Sequence, residues 1–231
     1  MIKKLPTIYP NELFYSYLSR TYVQSGVGSS REFSKIVFEN GNENPKYNFI
    51  NKLNKNFKTI LFTQIEPNDV ITKHTIFNFY GRFLNKNKKI EAISEILEGK
   101  NAFNYLHMPA TRSLEYLKYC PLCAKEDRDK YGEAFFHVEH QIDIIKICPH
   151  HCCKLKNTII KNTSSNQTIF TPLEMCLIDD NFEKIDPNSI EVKVIKYIYD
   201  FIKQSCKKTS DNWFTFSSNS SCCNTIIIFF F

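Results

Sequence analysis

Apolar residues recur at helical spacing through the first hundred positions. Leu13, Phe14, Tyr17, Leu18 and Tyr22 share one face of a helix that Asn11 can cap, starting near Glu12, with Gly26 just past its end. Ser29 and Glu32 then have capping-box spacing, and Phe33, Ile36 and Val37 continue at helical period before Gly41. Two short helices joined by "SGVGS" suit either a helix-turn-helix, with Arg31 and Lys35 on its second helix, or a plain helical hairpin. Phe49, Ile50, Leu53 and Phe57 predict a third helix. Pro67–Asn68 open a fourth, carrying "VITKHTIFNFYGRFL", and "KKIEAISEILEG" makes a fifth that closes at Gly99.

Near Cys120 the period changes. "EAFFHVEHQIDIIKI" is rich in aromatic and β-branched residues with short alternation, which predicts two strands or a bent ribbon. Helix returns over Ser189 to Gln204. Beyond it, a Ser/Asn/Cys tract runs into six apolar residues, an aggregation hazard if exposed, and reads as a truncated or frame-disturbed terminus. Cys206, Cys222 and Cys223 receive no function. The expected fold class is therefore α+β. It comprises a mainly helical N-terminal domain, 1–115, that accommodates a helix-turn-helix, then a small zinc-ribbon-like module, 116–160. A C-terminal helical extension, 161–204, and an irregular tail, 205–231, follow.

Composition narrows the setting. The 231 residues, 42% hydrophobic, can bury a real core, so the chain is not intrinsically disordered. The net charge of +6 is uneven: residues 1–119 hold 17 basic and 10 acidic side chains, the remainder 13 and 14. The N-terminal half is thus the candidate polyanion-binding half. "MIKKLPTIYPNELF" lacks the apolar run of a secretory signal, and "IIIFFF" is far too short to span a bilayer. A cytoplasmic protein without a membrane partner is expected. In that reducing compartment nine cysteines read as free thiols and metal ligands.

Tyr119 to Leu155 packs five cysteines and four histidines together. Cys120-Pro-Leu-Cys123 and Cys148-Pro-His-His151 form the pattern C-x2-C-x24-C-x2-H. Such knuckles place two ligands in one tight turn, and two of them complete the tetrahedron that structural Zn²⁺ requires. Local disulfides across this spacing would close strained loops of little stabilising value. The βαβ context of a redox pair is absent, and a Cys-His nucleophile would leave three ligands unexplained. Catalytic zinc, with Glu133 or Glu139 as base, is a weaker alternative, because three thiolates and an imidazole leave no open position. Spacing favours His151, with His150, Cys152 and Cys153 as competitors and His137 and His140 as structural residues. No phosphate-binding glycine loop is present, and no catalytic residue is assigned.

Three blocks, "LPTIYPNELFYSYLSR", "HTIFNFYGRFL" and "YCPLC…YGEAFFHVEHQIDIIKICPHHCCKL", resemble the TniQ/TnsD family of target-selection proteins from Tn-seven-like transposons, over roughly residues 5 to 155. The family's proline-bounded Glu-Leu and aromatic helix ending in Arg fall on Pro10, Glu12, Leu13, Tyr15, Tyr17 and Arg20. Its zinc ligands fall on Cys120, Cys123, Cys148 and His151. Phe136 stands where tryptophan is common, Cys152-Cys153 where glycine is frequent, and many members extend well past the second knuckle. The resemblance implies a bacterial, nucleoid-associated adaptor that is not an enzyme. It would recognise target DNA directly or through an RNA-guided effector complex and recruit an AAA+ ATPase transposition regulator. Arg20, Arg31, Lys35, Lys154 and Lys156 are the candidate phosphate contacts.

Overall fold

The computed structural model describes residues 4–40, 52–100, 116–161, 170–176 and 178–204. Helix α1, Phe14–Ser25, lies at the centre, and every side chain from Phe14 to Thr21 is buried. A helix apolar on one stripe only could not be placed so; here Ser16, Ser19, Arg20 and Thr21 occupy the remaining face and find polar partners inside. Ser19 and Thr21 donate their hydroxyls to carbonyls one turn back, and Ser16 Oγ accepts the N–H of Phe136.

The start of α1 differs from the cap expected at Asn11. Asn11 has φ 59°, a left-handed turn that asparagine tolerates, and Leu13 is the residue before the first helical turn. Residues 11–13 instead pair with 136–138: Leu13 N–H donates to the Phe136 carbonyl at 2.7 Å and Val138 N–H to the Asn11 carbonyl at 2.9 Å. The other end follows expectation, with Gly26 at φ 67°.

Helix α2, Ser30–Val37, is capped by Ser29, whose Oγ accepts the Glu32 N–H at 3.2 Å. It stops before Gly41, because Phe38 turns extended and bridges Leu53. Leu53 therefore precedes the third helix rather than lying in it. Helix α3, Lys55–Leu61, starts from an Asn54 cap; Phe49 and Ile50 fall outside the described residues. The long fourth helix breaks into α4, Pro67–His74, and α5, Phe77–Tyr80, followed by a 3-10 turn, Gly81–Phe83. Thr75 causes the break: extended at ψ 170°, it donates to Ile71 O and accepts the Phe77 N–H, ending one helix and starting the next. Helix α6, Lys86–Leu97, has an Asn85 cap and closes at Gly99, φ 78°.

Strand β1, Tyr116–Tyr119, leads into α7, Pro121–Tyr131, and pairs antiparallel with β2, Lys156–Lys161. The ribbon expected in "EAFFHVEHQIDIIKI" is absent from the fold. That segment makes only isolated bridges, Glu12↔His137 and Ile147↔Lys154, around a 3-10 turn at Glu139–Gln141. Its aromatic content serves burial instead: Phe135 and Phe136 are enclosed, the latter where tryptophan was expected. Helix α8, Ile190–Gln204, matches the predicted C-terminal helix.

One apolar cluster joins Phe14, Tyr17, Phe33, Phe77 and Ile96 with Ile142, Ile145, Ile147, Val192 and Ile195. The helical half, the segment between the two knuckles and α8 thus share a core across the 115/116 boundary. A second cluster packs Leu13 and Tyr15 against Leu117, Tyr119 and Phe136. No described helix is long and apolar enough to cross a membrane.

Candidate metal centre

Cys120 follows β1 and stands at the N-terminus of α7, where Pro121 fits the first helical position and Cys120 Sγ accepts the Cys123 N–H at 3.4 Å. The first knuckle therefore opens a helix rather than a ribbon, and the helix's N-terminal dipole points at the sulfurs. The second knuckle sits in a small hairpin closed by Leu155 N–H to Lys146 O, Cys148 N–H to Cys153 O and Cys152 N–H to Cys148 O. Cys152 at φ 52° makes its tight turn.

These two turns bring the ligand atoms of Cys120, Cys123, Cys148 and His151 within 4.8 Å of one another. His151 Nδ1 lies 3.5, 3.3 and 3.6 Å from the sulfurs of Cys120, Cys123 and Cys148, and Cys123 and Cys148 sulfurs are 3.6 Å apart. A tetrahedral zinc with ordinary Zn–S and Zn–N bonds needs edges of about 3.5–3.8 Å. The donor set and its spacing can hold such an ion without moving the backbone.

Hydrogen bonds share the protons in this cluster. Hydrogen bonding with Cys123 draws the Cys120 thiol down to about 6, and bonds from Cys120 and Cys123 lower Cys148 as well. The proton-holding partners, Cys123 and Cys153, are pushed up chiefly by their bonds to Cys120. His151 rises to about 10, led by its bond to Cys148. A cation binding here would displace these protons, so its affinity would fall in acid.

His151 Nε2 meets Glu126 Oε1 of α7 at 2.9 Å, which turns Nδ1 toward the sulfurs. His140 is buried, with Nε2 3.9 Å from Cys123 Sγ. Burial pulls its pKa down to about 3 and keeps it neutral, so its single N–H is best spent on that sulfur. His150 points away to Glu139, at 3.2 Å. His137 bonds Asp127 at 2.8 Å and stacks on Phe135. Cys152 turns its side chain into the main apolar core, whereas Cys153 packs among the ligand cysteines.

Two carboxylates considered as catalytic bases have other partners. Glu133 accepts from Arg20 and Tyr9, and Glu139 is engaged by His150 and His137. Arg20 requires a correction. It is only 2% exposed, and its guanidinium is held by Glu12 and Glu133, each at 2.8 Å, and lies 3.9 Å over the Tyr9 ring. A buried cation with two carboxylates is not available to a phosphate. Arg31 and Lys35 are exposed on α2, while Lys154 and Lys156 lie beside the second knuckle, ion-paired with Glu183 and Asp179.

Sequence reasoning missed the supports: Glu126, Lys118, and the amide of Gln141, which bonds the backbone of β1. The only signal was "HQ", eight residues before Cys148, which carries no metal chemistry of its own.

Transposon Tn7 transposition protein TnsD of Escherichia coli is 27% identical over 155 residues, which cover 65% of this chain and 30% of that protein. The chain thus matches less than a third of the length of that curated relative. Residues 5–155, from the buried Leu5 through α1 and both knuckles to Leu155, match the TniQ family, and the chain belongs to that family.

Proposed function

We propose that this protein is a DNA-binding target-selection adaptor of a Tn-seven-like transposon, without enzymatic activity of its own. It would recognise the target site directly or through a guide complex and recruit an AAA+ transposition regulator. The single observation that carries this reading is the TniQ match over 5–155, which takes in both knuckles and the helix that buries Arg20. Zn²⁺ bound by Cys120, Cys123, Cys148 and His151 plays a structural part. Three thiolates and an imidazole close its coordination sphere, so no position is left for a substrate.

Under this reading the ligands lock the end of β1 to the hairpin at 146–155, and the shared core passes that rigidity to α1 and α2. Arg31 and Lys35 on α2, helped by Lys154 and Lys156, contact phosphates, which sets affinity and salt dependence but no sequence preference. A helix-turn-helix role for α1 and α2 would supply base contacts.

One observation favours a second reading. Lys154 and Lys156 are already neutralised by Glu183 and Asp179, as expected of a zinc-built protein-interaction module whose DNA contact comes from another subunit. Selection and sequencing of genomic fragments retained by the zinc-loaded protein, over a salt series, separates the two. A common enriched site supports direct reading, and changing Arg31 or Lys35 to Ala should then lower the salt slope by about 1 each. No retention, or weak retention without a preferred site, supports the interaction module.

A further inference from the structure

We propose that the metal centre keeps a fifth ligand in reserve: Cys153, which takes the fourth coordination position when His151 leaves it. This rests on the reading of Cys120, Cys123, Cys148 and His151 as ligands.

The two adjacent cysteines after His151 are equivalent in sequence, and the backbone separates them. Cys152 has a left-handed φ of 52° and contributes its side chain to the core formed with the helical half. The next residue returns across the hairpin, where its carbonyl accepts the Cys148 N–H at 2.8 Å, and bridges Lys184 on its other side. Cys153 is thereby fully enclosed, with Sγ 3.3 Å from Cys120 Sγ, in one buried cluster with the three ligand cysteines.

His151 is the weak corner of the tetrahedron. The three cysteines are buried, whereas His151 is 16% exposed and its orienting partner Glu126 is 69% exposed. Water can compete with Glu126 for the Nε2 end of that imidazole. While His151 stays bound, Cys153 rests against the Cys120 sulfur, within hydrogen-bond reach, and holds no coordination position. On exchange the metal–nitrogen bond breaks and the imidazole swings to solvent. Cys153 releases its proton to water, and the freed thiolate pair forms a metal–sulfur bond. No oxidant is needed, and the centre gains one negative charge.

Cobalt(II) bound to the full chain reports the ligand set, because thiolate-to-cobalt charge transfer in the near ultraviolet scales with the number of sulfurs. Wild type, His151→Ala, Cys153→Ser and the double variant are compared by titration, with circular dichroism as a check on folding. His151→Ala is expected to hold one cobalt per chain with charge-transfer intensity up by about a third, the ratio of four thiolates to three. Cys153→Ser should match wild type in stoichiometry and spectrum, and the double variant should bind at least ~100-fold more weakly than His151→Ala. Equal affinities for His151→Ala and the double variant would overturn the proposal. So would a His151→Ala spectrum of three thiolates, or a His151→Ala chain that fails to fold with cobalt present. A wild-type chain that binds no cobalt would instead remove the metal reading beneath it.

Discussion

Gln141 lies along Lys118 as a neighbouring strand would: its Oε1 accepts the Lys118 N–H at 3.0 Å and its Nε2 donates to the Lys118 carbonyl at 2.8 Å. The same amide donates to His137 O, and the buried Lys118 ammonium donates to the carbonyls of Ile142 and Ile145. Burial lowers that lysine's pKa to about 8. The strand leading to Cys120 is thus tied to the segment leading to Cys148, so the geometry of the centre is prepared by backbone contacts outside it.

Gln141→Ala should accordingly destabilise the protein by about 2–4 kcal/mol, since it leaves a buried N–H and a buried C=O of Lys118 without partners. Urea unfolding of the metal-saturated protein measures this. A change under about 0.5 kcal/mol would mean that water or another side chain replaces the amide.

Arg20→Ala should cost about 3–5 kcal/mol by leaving the Glu12 carboxylate buried and unpaired. Arg20→Lys should recover little, because a point charge cannot bond both Glu12 and Glu133 and cover the Tyr9 ring. Burial already raises the Glu12 pKa to about 7 against the pull of Arg20, so its ionisation costs stability that is fully present below about 4.5 and lost as pH rises through 7. The Arg20→Ala penalty should therefore be larger at pH 8 than at pH 5. The salt slope of any DNA binding should be unchanged in this variant.

Removing the metal, or one thiolate, should loosen the region from β1 to β2. Cys123→Ser is expected to copurify with less than one equivalent of zinc and to unfold at lower urea, and chelation of wild type should reproduce that shift. Elemental analysis beside unfolding curves checks both. Full zinc content with wild-type stability in Cys123→Ser would mean the ligand set is misassigned.

Glu126→Gln tests the support behind His151. The amide still meets Nε2 but carries no charge, and the site is exposed, so metal affinity should fall by no more than ~10-fold while the fold persists. Competition against a chromophoric chelator reads this directly.

His137 supplies a pH signature away from the metal ligands. Burial opposes its charge, yet hydrogen bonds to Asp127 and Glu139 outweigh it and raise the pKa to about 10. A histidine raised in this way stabilises the fold fully below its unfolded pKa near 6.5, and the contribution is lost as pH rises through 10. The stability gap between wild type and His137→Gln should therefore be flat up to pH 6.5 and shrink toward pH 10, followed by denaturant midpoints.

The local features that short-range chemistry controls are legible in the order of the residues. Ser29 caps α2, glycines close α1 and α6, and the knuckles Cys120/Cys123 and Cys148/His151 converge, because a cap, a left-handed turn or an x-x spacing is decided within a few residues. Features that depend on distant partners emerge only when the chain is folded. The Glu12 segment draws Phe136 out of the expected ribbon, and Gln141 takes the place of a strand beside Lys118. Arg20 reads as a surface cation from its neighbours, but Glu133, 113 residues away, helps bury it. The choice between Cys152 and Cys153 depended on one backbone angle, which periodicity does not encode.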